Sequence, residues 1–224
     1  MLVRPLAVAF DVIETLMPLE PLRARLEEID QPGHLLEPWF LRTLRDGIAL
    51  SSTGEFQPFP VVAKQALHTA TGHNIAEGDV DRVLAAFGDL PAHEDAEPAM
   101  RRLAENGVRI ICLTNGSAET TAQFLHGAGL SRYVEGVVTV EHAGAWKPAA
   151  AVYRAAAQRL EVSQGEVALV AAHAWDCHGA KRAGCMTGWV SRFEQYYGNL
   201  FAPPDVDGAD LTEVADRLLE LPEE

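Results

Sequence analysis

The chain has 224 residues, 48% of them hydrophobic and 22% charged, the composition of a folded globular protein with one sizeable core or a core carrying a small insert. Its 32 Asp and Glu outnumber 18 Lys and Arg, so the surface field repels nucleic acid and anionic lipid and excludes both as expected partners. No apolar run reaches the length of a signal peptide or membrane span, and Cys112, Cys177 and Cys185 lack metal-type spacing, which points to a reduced, cytoplasmic setting.

Residues 6–10 are continuously apolar and halt at Asp11, as a strand buried on both faces of a parallel sheet does. Residues 17–92 offer amphipathic helical segments near 19–29, 35–50, 61–71 and 80–87 and no buried strand. They are expected to form an inserted helical cap that excludes water over a core built from 1–16 and 93–224; the alternative is a separate helical binding module. Beyond it, helical patterns at 96–106, 118–128 and 149–160 alternate with strand patterns at 108–113 and 167–172 and weaker ones at 137–140 and 187–190. Gly107 and Gly129 stand just past helix ends and Pro148 just before a start, the expected punctuation. This alternation predicts an α/β fold, a doubly wound parallel Rossmann-like sheet with its site at the carboxyl ends of the strands. The acidic tail after Pro222 is expected to fray.

Three polar residues fall where such a site forms. Asp11 ends the first strand, a position that serves a nucleophile or an ordinary turn. Lys147, one of three lysines, reads either as a solvated surface cation or as a fixed charge that keeps a carboxylate ionised. Asp176 reads as a helix-start carboxylate or as a group that orients Lys147 and a water. The remaining histidines lack ligand spacing, and neither a glycine-rich nucleotide loop nor a Gly-x-Ser-x-Gly elbow is present, so no metal and no cofactor are expected.

Asp11 with Thr15, Thr114-Asn115-Gly116-Ser117, Lys147-Pro148 with Tyr153, and Trp175-Asp176 with Gly179-Ala180 follow one another in order along nearly the whole chain. In these segments the protein resembles the haloacid dehalogenase superfamily. It looks most similar to the type II (S)-2-haloacid dehalogenases, through Thr-Asn-Gly-Ser, Trp-Lys-Pro with Tyr six residues after the Lys, and Ala-Trp-Asp before Gly-Ala. The resemblance implies hydrolytic dehalogenation of small 2-haloalkanoic acids, with Asp11 displacing halide to give an aspartyl ester that water hydrolyses. Thr15, Thr114, Asn115 and Tyr153 would then hold the carboxylates, Asp176 would orient Lys147, and donors around Asn115 and Gly116 would receive the substrate. Relatives are often dimers, so a homodimer stays open.

Departures from the family pattern bear on substrate. Phosphatases of the superfamily carry an acid two residues after the nucleophile; Ile13 stands here, and a departing halide needs no proton. A magnesium-dependent phosphatase using Asp11, the Ile13 carbonyl and Asp176 is the alternative, and a member that has lost dehalogenation is a third. The family's cap Arg beside a Trp is replaced by Phe40 after Trp39; Arg42, three residues on from Trp39, is the expected substitute if the segment is helical. Ala171 and His173 stand where the family has a hydroxyl and an amide. His173, with an ordinary pKa of about 6.5, is either a base for water or a hydrogen-bonded strand-end residue. Glu14 replaces the family's usual Gly.

Overall fold

The computed structural model describes residues 2–223. The first apolar run forms β1 (Ala7–Phe10), buried along its whole length. The chain then leaves the sheet for α1 (Leu22–Glu27), α2 (Leu36–Ser52), α3 (Phe59–Ala70) and α4 (Glu77–Ala85). It returns through α5 (Ala96–Glu105) to β2 (Arg109–Thr114), α6 (Ala118–Gly127), β3 (Val137–Thr139), the single turn α7 (Val140–Ala143) and α8 (Ala150–Leu160). The remainder is β4 (Val167–Ala171), α9 (Ala174–Arg182), β5 (Met186–Val190), β6 (Val206–Gly208) and α10 (Leu211–Leu219).

All six strands are parallel, in the order β3-β2-β1-β4-β5-β6. Phe10, the last residue of β1, lies between Cys112 of β2 and Val170 of β4. The chain winds outward from β1 to β3 and then crosses to β4 on the other side, so strand order reverses beside β1. Open α/β sheets bind ligands in the crevice beyond such a reversal. Asp11 is the first residue past it.

Because successive side chains of a strand point to opposite faces, each central strand feeds two cores. Val8, Phe10, Ile110, Cys112 and Val170 pack with Met100, Leu103, Phe124 and Val214. Ala7, Ala9, Ile111 and Leu169 pack with Val152, Ala156 and Ala180 of α8 and α9. The first core continues without a break into α1–α4 through Leu26, Trp39, Leu67 and Val83. In α2 the buried residues Leu36, Trp39, Phe40, Thr43, Leu44 and Gly47 recur at three- and four-residue spacing, one face of a helix. Trp146, from the loop before α8, lies flat on that face, where a Cβ on Gly47 would come within 2.2 Å of its ring. Its indole N–H donates to the Gln57 carbonyl at 2.9 Å and its backbone N–H to Ser51 Oγ at 2.7 Å.

Three features differ from the sequence reading. The first helix of the insert is shorter than residues 19–29, beginning only after Pro21, whose ring and missing N–H disfavour a helix running through it. The structure adds β6 and α10, which extend the sheet and cover it beyond the last expected strand. Of the tail expected to fray, Glu224 lies outside the described residues; before it, the Arg4 N–H donates to the Pro222 carbonyl at 2.8 Å and Arg4 Nη1 meets Glu223 at 2.5 Å. Among the described residues no helix is long and apolar enough to cross a membrane, and the three cysteines are buried and unpaired.

Candidate active site

After β1 the chain turns at once, the N–H groups of Leu16 and Met17 donating to the Val12 carbonyl, and this folds Thr15 back over Asp11. The Thr15 hydroxyl donates to Asp11 Oδ2 at 2.6 Å and accepts the Ala172 N–H at 2.9 Å. Lys147 enters from the loop between α7 and α8, its backbone N–H donating to Asn115 Oδ1 at 3.2 Å. Its ammonium donates to Asp11 Oδ1 at 2.9 Å and to Asp176 Oδ2 at 2.8 Å. Asp176 stands in the first turn of α9, and its other oxygen accepts the Tyr153 hydroxyl at 2.6 Å. A Cβ at Gly179 would lie 2.4 Å from Pro148 Cβ and 2.6 Å from the Tyr153 hydroxyl; only glycine lets α9 approach the lysine loop so closely.

Lys147 and Asp176 are fully buried and Asp11 is nearly so. Burial opposes the Lys147 charge, but the two carboxylates outweigh it and raise its pKa. Burial likewise works against an ionised Asp11; Lys147, His173 and Thr15 together reverse that and hold Asp11 well below the usual carboxylate range. Asp176 is pushed up by burial and by the Asp11 charge against the pull of Lys147. Asp11 is therefore an ionised carboxylate kept from water by its neighbours.

A second ion pair stands beside it. His173, the residue before α9, places Nε2 2.8 Å from Glu14 Oε2 and Nδ1 3.7 Å from Asp11 Oδ2. Burial disfavours its charge, yet contacts with Asp11 and Glu14 push its pKa up to about 10. Of the two readings of His173, the hydrogen-bonded strand-end residue describes its contact with Glu14, and with its pKa raised it is protonated at neutral pH, so it would act as a base only after losing that proton. Glu14 is held at φ 66°, where a side chain costs on the order of 1 kcal/mol relative to glycine. The two residues had stood out separately in the sequence; their separation of 159 positions left no local signal that they meet.

Over Asp11 lies a cavity of about 10 Å³, enough for about one water molecule. Thr114, Asn115 and His173 supply its other polar lining, and Ile13, Phe40, Leu44 and Trp175 the apolar part. Asn115 accepts from Lys147 through Oδ1, which leaves its amide nitrogen as the donor end. Leu44 is a lining residue that the sequence reading lacks. Its position one helical turn after Phe40 was the available signal.

The haloacid dehalogenase-like hydrolase profile matches residues 6–184. The chain belongs to that family. Among its relatives, (S)-2-haloacid dehalogenase 4A of Burkholderia cepacia is 28% identical over 222 residues, 96% of this chain and 92% of the relative. Haloacetate dehalogenase H-2 of Moraxella sp. (strain B) is 26% identical over 206 residues, 89% of this chain and 91% of that one. The structure of L-2-haloacid dehalogenase from Xanthobacter autotrophicus with chloropropionic acid covalently bound superposes with a TM-score of 0.88, covering 98% of this chain and 99% of that chain. At 20% identity this last likeness is one of fold.

Within this haloacid dehalogenase-like frame several expected contacts do not form. Trp39 points into the helical layer, its indole donating to the Ala63 carbonyl at 2.8 Å and its ring edge-on to Phe87 at 6.0 Å, so it does not line the cavity. Arg42 lies two residues from both Phe40 and Leu44, about 200° around the helix, and lines neither the cavity nor the cleft outside it. The Gly116 N–H donates to Thr114 Oγ1 at 2.9 Å, and Tyr153 is buried behind Asp176; neither lines the cavity over Asp11. The donor set does not fit a bound magnesium ion. Both oxygens of Asp176 are committed to Lys147 and Tyr153, and both oxygens of Asp11 to Lys147 and Thr15.

Proposed function

We propose that this protein hydrolyses the carbon–halogen bond of 2-haloacids through a covalent ester on Asp11, with residues 17–92 acting as the cap over a core of 1–16 and 93–224. The supporting observation is the buried Lys147 ammonium 2.9 Å from Asp11: it keeps the attacking carboxylate ionised, while Ile13 at the cavity wall supplies no acid for an alkoxide leaving group. An Asp11 oxygen attacks the halogen-bearing carbon, and the carbon–halogen bond breaks with its electron pair leaving as halide. Halide needs no proton, so an apolar neighbour costs this step nothing. Water then adds to the Asp11 ester carbonyl, the acyl carbon–oxygen bond breaks, and the 2-hydroxyacid leaves as the carboxylate is restored.

His173 has a part in the second step that it lacks in the first. Its proton is held by two carboxylates, and forming the ester neutralises one of them. Burial then counts against the charge with only Glu14 left to oppose it, so the imidazolium loses its proton to solvent and becomes a base. Glu14 orients it toward a water in the cavity over Asp11. The net proton released matches the overall reaction, haloacid plus water giving hydroxyacid, halide and a proton.

The test is halide release from a panel of (S)-2-haloacids. Wild-type protein is expected to release halide stoichiometrically with 2-hydroxyacid, and Asp11→Asn, nearly isosteric, to release none while remaining folded by circular dichroism. Equal halide release by the variant, or turnover of phosphate esters alone on addition of magnesium, overturns the reading.

A further inference from the structure

The cavity over Asp11 is too small for a haloacid and is bounded outward by Phe40, Leu44, His173 and Trp175. The same four residues form the inner wall of a cleft of about 720 Å³, a size typical of small-molecule sites. Leu19, Leu36, Leu41 and Phe193 line the cleft farther out; Leu41 and Phe193 are 65% and 54% exposed, a large apolar surface left to water beside a reaction centre. The cations of the cleft are occupied. Arg23 is held by Glu20 and Glu37 at 2.7 Å each, and Arg192 is paired with Asp95. A substrate reaching Asp11 through this cleft meets apolar walls, arginines already paired, and carboxylates, of which Glu20 and Glu37 share Arg23 and Glu194 accepts the Ala174 N–H.

We infer that the cleft is a subsite for an apolar substituent on the reacting acid, so that the preferred substrates carry a long alkyl or an aryl group on the halogen-bearing carbon. The inference rests on the dehalogenase reading and deepens it. With Phe40 in place of the family's cap cation and Arg42 turned away, no unpaired cation reaches the substrate carboxylate from the cap. Binding is left to apolar contact, and that contact is available only outside Phe40 and Leu44. The two-carbon and three-carbon acids fill none of it.

The experiment is kcat/KM for halide release across (S)-2-bromopropionate, 2-bromohexanoate and 2-bromooctanoate, with 2-bromo-3-phenylpropionate as the aryl member. The expected result is a rise of roughly threefold to fourfold per added methylene, the worth of a buried CH₂. Leu41→Gln and, independently, Phe193→Gln change exposed side chains that the fold tolerates; each is expected to lower the octanoate-to-propionate ratio at least several-fold. Halide from bromopropionate with a flat or falling series overturns the subsite alone. No halide from any acid overturns the dehalogenase reading and the subsite with it. A flat series together with a dimer, seen by sedimentation, that Leu41→Gln dissociates would give the cleft to a second copy of the chain and overturn the subsite as well.

Discussion

Replacing His173 with Gln separates the two halves of the proposed reaction. The wild-type pKa is pushed from the ordinary 6.5 to about 10, which corresponds to at most about 5 kcal/mol of preference for the protonated form, shared between Asp11 and Glu14. An opposite charge at this range moves a pKa by about one to three units, so loss of the Asp11 charge on ester formation brings His173 to roughly 7–9. At pH 8 the neutral fraction then rises from about one in a hundred to between a tenth and nine tenths, enough for general base catalysis worth about 10²–10⁴ in rate. In His173→Gln, alkylation of Asp11 proceeds and hydrolysis of the ester does not keep pace. Rapid-quench halide assays are expected to show a burst of about one equivalent per site followed by a steady rate at least about a hundredfold lower, with the ester visible as added mass on the intact protein. Absence of a burst and an unchanged steady rate would refute the role given to His173. Stability supplies a second readout. Since folding raises this pKa, the stabilisation is complete below the unfolded value near 6.5 and fades as pH climbs through about 10; the variant's urea midpoint should lack that alkaline fall.

Lys147→Met leaves two buried carboxylates without their shared counter-charge, a loss of about 3–5 kcal/mol for a buried pair deprived of one partner. Turnover should disappear and the urea midpoint at pH 8 should fall, with part of the loss recovered near pH 5 as one carboxylate takes up a proton; an undiminished midpoint at pH 8 would count against the buried triad. Arg42→Ala, by contrast, should leave kcat/KM for 2-bromopropionate within about twofold of wild type, because its side chain turns away from Phe40 and Leu44. A hundredfold loss there would return Arg42 to the substrate.

The central strands were legible because burial on both faces leaves an unbroken apolar run, and residues 6–10, 108–113 and 167–172 each became a strand within a residue or two. The polar residues that end those runs were legible for the same reason: Asp11 and His173 stand where hydrophobicity stops. What could not be read was the rotational phase of α2. The three-residue step from Trp39 to Arg42 is helical, but which face meets the sheet is set by Phe40, Leu44 and Gly47 packing on Trp146 and the core, a tertiary fact. Likewise the Glu14–His173 contact joins strand ends far apart in the chain, and β6, three residues reading Val-Asp-Gly, is too short to show a period.

The seat of Trp146 on Gly47 has a mechanical result. Its neighbour Lys147 is the ammonium donor to Asp11, so swinging α2 away from the sheet like a door would drag on the group that keeps the nucleophile charged. The packing of α2 on the sheet and the placement of the ammonium beside Asp11 are thereby coupled through two consecutive residues, Trp146 and Lys147.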